Sequence, residues 1–217
     1  LELTDGVMII ANGGAVVRMD GTPLWEWTMT DGEAARAYGV LLKYDVMRNA
    51  FVRSAVYREN TRAYRAMDPG LTSYLGGACS ICNDDRERFE REGLSHPYKL
   101  EAYSNDEPTM AALRAELTAA GFEVTSAYWN NLEIQSRGAG KGAAVRWLAK
   151  QMGAAREEIL AMGDNTNDLP MLQASGWPVA MENGVDELKR AARLIAPDCA
   201  DDGAAQILEK VLRGEIG

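Results

Sequence analysis

The residues Gly163-Asp164-Asn165-Thr166-Asn167-Asp168 put two carboxylates and two carboxamides within a six-residue stretch. Such a set of hard oxygen donors suits magnesium. The same side chains are also common helix caps, and taken alone the stretch fits either use. Gly163 is read as the residue that lets the chain turn sharply and aim Asp164 outward. A second chemical feature is Lys141, which stands among Gly138, Gly140 and Gly142 at a predicted helix start. The positive end of a helix macrodipole disfavours a cation by roughly 0.3 to 1 kcal/mol, so an anion is called for nearby. Backbone N–H groups at a helix N-terminus and a lysine ammonium together make a phosphate site. The plain alternative is a solvated lysine in a glycine turn. A Walker A loop is excluded, because it needs Gly where Gln135 stands and Ser or Thr where Gly142 stands. The spacing Gly138-Ala139-Gly140-Lys141-Gly142 also fails the dinucleotide-binding fingerprint.

These residues need elements to hold them. Lys141 to Met152 reads as a helix stopped by Gly153, and Ile159 to Met162 as the strand that feeds the Gly163 loop. Pro170 to Ala174, Val185 to Ala192 and Ala204 to Leu212 read as helices. Pro178 to Met181 and Leu194 to Ala196 read as strands. Alternation of this kind predicts a parallel sheet covered on both faces, with the Gly163 loop at its carboxyl edge, where open α/β sheets bind ligands. Earlier in the chain, Val7 to Ile10 reads as a buried strand. Ala15 to Arg18 and Pro23 to Trp27 flank a hairpin turn at Asp20-Gly21. A helix over about Asp31 to Lys43 and a strand over Phe51 to Tyr57 follow. Asp68 to Gly93 has an irregular pattern. Tyr98 to Tyr103, Pro108 to Ala120, Phe122 to Trp129 and Leu132 to Gln135 form a strand-helix-strand-strand module, with capping residues at Ser104-Asn105-Asp106.

Composition bounds the function. The chain has 217 residues and a net charge of −9, which argues against a nucleic-acid surface built on Lys and Arg. Its three cysteines, Cys79, Cys82 and Cys199, make no disulfide framework. The single histidine, His96, is too far from Cys79 and Cys82 to complete a zinc site. No apolar run approaches the ~18 residues of a membrane span. These features predict a cytoplasmic protein without membrane or nucleic-acid partners, and they leave its oligomeric state open.

Glu133-Ile134, Lys141-Gly142, Gly163 to Asp168 with Met171-Leu172, Val179-Ala180-Met181 with Asn183, and Asp202-Gly203 occur in a recognisable order. In that order they resemble the Cof-like phosphatases of the haloacid dehalogenase superfamily, whose Asn-Gly-Ala turn Asn12-Gly13-Gly14 also resembles. The resemblance implies an α/β fold, a Rossmannoid parallel sheet carrying an inserted α+β cap domain. The core is expected over 1–28 and 136–217, with the cap over 29–135. It further implies a Mg2+-dependent phosphatase acting on a small phosphorylated, sugar-phosphate-like metabolite through an aspartyl-phosphate. In it Asp164 is the catalytic metal aspartate and Lys141 the catalytic lysine that neutralises the phosphoryl group. Asn167, and on looser grounds Asn12 and Asn183, touch the phosphate or substrate. Asp168 joins Asp164 in the metal site, as a carboxylate orienting Lys141 or the metal's waters.

The family's nucleophile and its general acid lie in an Asp-x-Asp-Gly-Thr motif on the first core strand. Met19-Asp20-Gly21-Thr22 is not that motif, since Arg18 occupies the nucleophile position. The core sheet is therefore expected to be incomplete at its N-terminal side, with roughly 40 to 50 residues preceding Leu1 in the natural protein, and the 217 residues to be an inactive fragment. The alternative is a non-catalytic module that keeps the phosphate and metal loops.

Overall fold

The computed structural model describes residues 6–59, 61–63, 80–84 and 86–216. Leu1 to Leu3, Cys79 and most of the irregular stretch after Asp68 lie outside them. The chain divides into two compact units, Leu1–Ala139 and Gly140–Gly217. No helix among the described residues is long and apolar enough to cross a membrane.

The first unit opens with strands β1 (Val7–Ile10), β2 (Ala15–Arg18) and β3 (Pro23–Glu26), paired antiparallel in that order. The Asp20-Gly21 turn forms as predicted. Asp20 Oδ1 accepts from the Thr22 N–H at 2.8 Å, and Gly21 takes φ 84°, which only glycine adopts freely. The burial expected of β1 does not hold: Val7, Met8 and Ile10 are 37%, 37% and 40% exposed. Among the described residues β1 pairs on one side only, with β2, so its apolar side chains lie at a sheet edge.

Helix α1 (Asp31–Leu41) follows, then β4 (Met47–Val52), β5 (Ala55–Glu59), β6 (Ser80–Asp84), β7 (Lys99–Tyr103), α2 (Glu107–Ala119), β8 (Glu123–Thr125) and β9 (Asn131–Gln135). The strands form a six-stranded sheet in the order β6-β5-β4-β7-β9-β8. The sheet's Ala50, Leu100, Ala102 and Ile134 form one core with Ala34, Ala37 and Leu41 of α1 and Leu113 and Leu117 of α2. Strand alternation sends Lys99, Glu101 and Glu133 to the other face. There Lys99 Nζ donates to Glu101 at 2.6 Å and to Glu133 at 2.5 Å.

Two predicted strands change. Phe51 to Tyr57 is a hairpin, not one strand, because the chain reverses at Arg53-Ser54 and Phe51 pairs with Val56. Phe122 to Trp129 shortens to β8, because Asn131 Oδ1 accepts from the N–H groups of Ala127 and Tyr128 and folds those residues into a turn.

The second unit contains α3 (Lys141–Met152), β10 (Leu160–Gly163), α4 (Leu169–Ala174), β11 (Trp177–Met181), α5 (Asp186–Ala191), β12 (Leu194–Ala196) and α6 (Gly203–Leu212). Strands β10, β11 and β12 pair in parallel. Ala161 and Ala180 pack with Leu172 of α4 and Leu188 of α5, while Val179, Met181 and Ala196 pack with Ile207 of α6. Both faces are covered, as the strand and helix alternation predicts.

Candidate active site

The site in the second unit is organised by Asp168. Strand β10 ends at Gly163, and the chain passes through Asp164 and Asn165 into a short 3-10 turn, Thr166–Asp168, that leads into α4. Asp168 is 5% exposed, and its Oδ2 accepts from the N–H groups of Asp164 at 3.1 Å and Asn165 at 3.3 Å. Its Oδ1 accepts from Lys141 Nζ at 2.5 Å. Asp168 thus fixes the backbone of the loop with one oxygen and the lysine with the other.

Gly163 serves this arrangement by its missing side chain. A Cβ at Gly163 would lie 2.4 Å from Asp168 Cβ and 2.7 Å from its Oδ2, so only glycine leaves room for the carboxylate beneath the strand end. Its backbone φ is not in the left-handed region. The turning freedom expected of Gly163 is therefore not what the site uses. The Asp164 carbonyl accepts from Val185 N–H at 2.9 Å, and the side chain of Asp164 is left exposed at the carboxyl end of the parallel strand.

Lys141 opens α3 directly after Gly140, whose φ of 127° suits only glycine. The first turn of α3 carries no acidic residue. A Cβ on Gly142 would lie 2.4 Å from the Pro170 carbonyl oxygen, so this glycine permits α3 to press against the start of α4. That packing, rather than a flexible glycine turn, brings Lys141 to Asp168. The anion that a lysine at a helix start calls for is supplied by the chain itself, and the ammonium keeps further donors beyond the one given to Asp168.

Asn167 lies buried next to Asp168 in the same turn. The structure thus gathers Lys141, Asp164, Asn167 and Asp168. Asn183 sits on the neighbouring 182–185 loop, where its Oδ1 accepts from Cys199 N–H at 3.2 Å, a turn-stabilising role. Asn12 belongs to the first unit. It has φ 54°, and its Nδ2 donates to Thr125 Oγ1 at 3.2 Å and Gln135 Oε1 at 3.1 Å. Gly142 and Gly184 escaped the sequence reading as site residues. A Cβ on Gly184 would lie 2.9 Å from the Asp164 carbonyl oxygen, so both glycines act by permitting close approach.

The donor set fits magnesium in a limited way. Among the described residues no three His, Cys, Asp or Glu side chains gather in a ligand cluster. Both Asp168 oxygens are engaged, so the loop offers one open carboxylate, that of Asp164. Magnesium is commonly held by one or two carboxylates with substrate phosphate and water completing its shell, and Asp164 fits that pattern.

Comparison with known proteins finds relatives of this chain. The model of the haloacid dehalogenase-like hydrolases matches residues 1–208. A 5-amino-6-(5-phospho-D-ribitylamino)uracil phosphatase of Bacillus subtilis strain 168 is 32% identical over 125 residues, covering 57% of this chain and 44% of the relative. A phosphoglycolate phosphatase of Methanothrix thermoacetophila is 35% identical over 78 residues, covering 36% of this chain and 35% of the relative. The chain thus spans less than half the length of each of these curated relatives. Among solved structures, a haloacid dehalogenase-like hydrolase from Bacillus subtilis superimposes with TM-score 0.80 at 25% identity, over 94% of this chain and 79% of the other.

Proposed function

The chain belongs to the haloacid dehalogenase-like hydrolase family, and from that premise we propose that it is part of a Mg2+-dependent phosphatase for small, sugar-phosphate-like metabolites. The observation that carries the reading is the Lys141–Asp168 pair beside the open carboxylate of Asp164 at the carboxyl end of β10. Lys141 sits at the N-terminus of α3, where its charge and the helix N–H groups both favour a phosphoryl group. Asp168 holds the ammonium in place and keeps it from swinging into solvent. Asp164 would hold the metal, which supplies charge neutralisation at the phosphoryl oxygens when bound. Asn167 contacts the bound phosphate.

The residues 1–28 and 136–217 are taken as core and 29–135 as cap, on the strength of the family resemblance. No Asp-x-Asp-Gly-Thr motif occurs in the 217 residues. In this proposal the nucleophilic aspartate comes from chain outside them and attacks phosphorus. The P–O bond to the metabolite breaks, and its alcohol leaves with a proton from the motif's second aspartate. Water then attacks the aspartyl-phosphate, freeing the aspartate and inorganic phosphate. The 217 residues alone are then inactive.

The test joins an Asp-x-Asp-Gly-Thr segment from the natural coding sequence to this chain and screens a panel of phosphorylated metabolites with and without Mg2+. Metal-dependent phosphate release is expected, and Asp164→Ala should abolish it. Activity of that variant within about tenfold of wild type, roughly 1.4 kcal/mol in barrier, removes Asp164 from its role. Tight binding of a phosphorylated ligand without turnover in the joined protein would favour the non-catalytic module instead.

A further inference from the structure

The second unit has a charged feature that phosphoryl chemistry at Lys141 does not use. Helix α3 runs Lys-Gly-Ala-Ala-Val-Arg-Trp-Leu-Ala-Lys-Gln-Met, with three cations and no acid, in a chain of net charge −9. Arg146 and Lys150, one helical turn apart, line a cavity of ≈ 380 Å³ together with Arg156, Ile159 and Gln173. Among the described residues no carboxylate lines it, and none of Arg146, Lys150 and Arg156 has an ion-pair partner.

Helix energetics explain only part of this. Like charges at i and i+4 destabilise a helix by roughly 0.2 to 0.5 kcal/mol. Lys150 lies in the last turn of α3, where the negative end of the macrodipole favours a cation. Arg146 lies in the middle of the helix and gains little from that end. Arg156 is not on the helix at all, yet it is anchored twice. Its guanidinium Nη2 donates to the Gln173 carbonyl at 3.3 Å, and its own carbonyl accepts from Gly176 N–H at 2.8 Å. Gly176 is required there, since a Cβ would lie 2.7 Å from the Arg156 carbonyl oxygen. The backbone that presents Arg156 is thus held at Gly176, and its exposed side chain is tethered to the Gln173 carbonyl.

Ile159, which lines the cavity, immediately precedes β10, whereas Asp164 follows the end of that strand. At about 3.3 Å per residue the two are separated by the strand's length, so the cavity is distinct from the phosphoryl site. Its volume suits a small ligand. Two arginines and a lysine match phosphate oxygens in charge, and a guanidinium matches them in planar bidentate geometry. We propose that this cavity is a second anion site, taking a small polyanion of the pyrophosphate or phosphate-ester class.

The experiment titrates the 15N-labelled 217-residue chain with pyrophosphate in Mg2+-free buffer and follows the amides of Ala149, Ala154 and Gln173. Saturable shifts are expected at these amides. The double variant R146Q/R156Q should weaken the titration at least tenfold, and Lys141→Gln should leave it unchanged. The Arg146, Lys150 and Arg156 side chains are exposed, so the fold is expected to persist, and thermal melts check that it does. Should the double variant melt early, R146Q and K150Q are read singly, each weakening the titration. The proposal falls if these amides do not shift saturably, if their shifts survive R146Q/R156Q, or if Lys141→Gln abolishes them. It also falls if a polyglutamate peptide displaces pyrophosphate with higher affinity, which would mark the face as a protein-docking patch.

Discussion

Asp168 meets three donors with two oxygens: the Asp164 and Asn165 N–H groups on Oδ2 and the Lys141 ammonium on Oδ1. Its side chain is 7% exposed and that of Lys141 27%, so the pair is screened less than a surface ion pair. Charged hydrogen bonds in such settings contribute about 1.5 to 3 kcal/mol before the partners relax. A double-mutant cycle with Lys141→Met and Asp168→Asn, read by urea unfolding, should give a coupling energy of about 1 to 2 kcal/mol. A coupling below about 0.5 kcal/mol, the usual limit of additivity, would mean that the two groups act independently. Each residue was legible in the sequence as a site member. The lysine's need for an anion was legible too, from its place at a helix start. That Asp168 answers it, and that Gly163 and Gly142 exist to make room, depends on packing between residues distant in sequence.

Helix starts were the most legible elements, because their chemistry is local. Asp106 caps α2 through Thr109 N–H at 3.0 Å, as its position before Pro108 implied. At α1, Thr30 Oγ1 accepts from Glu33 N–H at 3.2 Å, and Glu33 Oε2 accepts from Thr30 N–H at 2.8 Å. Thr30→Ala should cost about 1 kcal/mol at neutral pH, measured by chemical denaturation. The Thr30 backbone N–H holds the Glu33 carboxyl below its ordinary 4.5, so Glu33 contributes stability that is present above pH 4.5 and lost as pH falls through its folded value. Glu33→Gln should therefore lie below wild type at pH 7 and converge on it in acid. A gap that stays constant would show that the box does not depend on the carboxylate. Strands were less legible. Arg53-Ser54 carries no glycine, proline or asparagine to announce a hairpin, so β4 and β5 read as one run. The turn that shortens β8 is set by the side chain of Asn131, several residues downstream.

Over the whole molecule the parallel unit was legible because strand and helix alternate with short connections, and both faces of its sheet proved covered. The charged face of the six-stranded sheet was not. Strand alternation in β7 and β9 separates two faces without telling whether the polar one is covered, and Lys99, Glu101 and Glu133 are 7%, 4% and 6% exposed. This burial gives the chain a testable alkaline limit. Burial by itself would lower the pKa of Lys99, but the carboxylates of Glu101 and Glu133 outweigh it and push the ammonium up to about 12 from an ordinary 10.5. Tyr98 is also raised to about 12, by burial and then by Glu26. Both groups hold protons more tightly when folded, so the stability they confer is intact below pH 10 and is lost as pH rises to 12. Urea midpoints should fall across that window. Lys99→Arg keeps the charge without titrating there, and should reduce the slope by at most about 1.4 kcal/mol per pH unit, the contribution of one proton. An unchanged slope in a folded Lys99→Arg variant would assign the alkaline loss to the tyrosines and leave the buried lysine without a part in it.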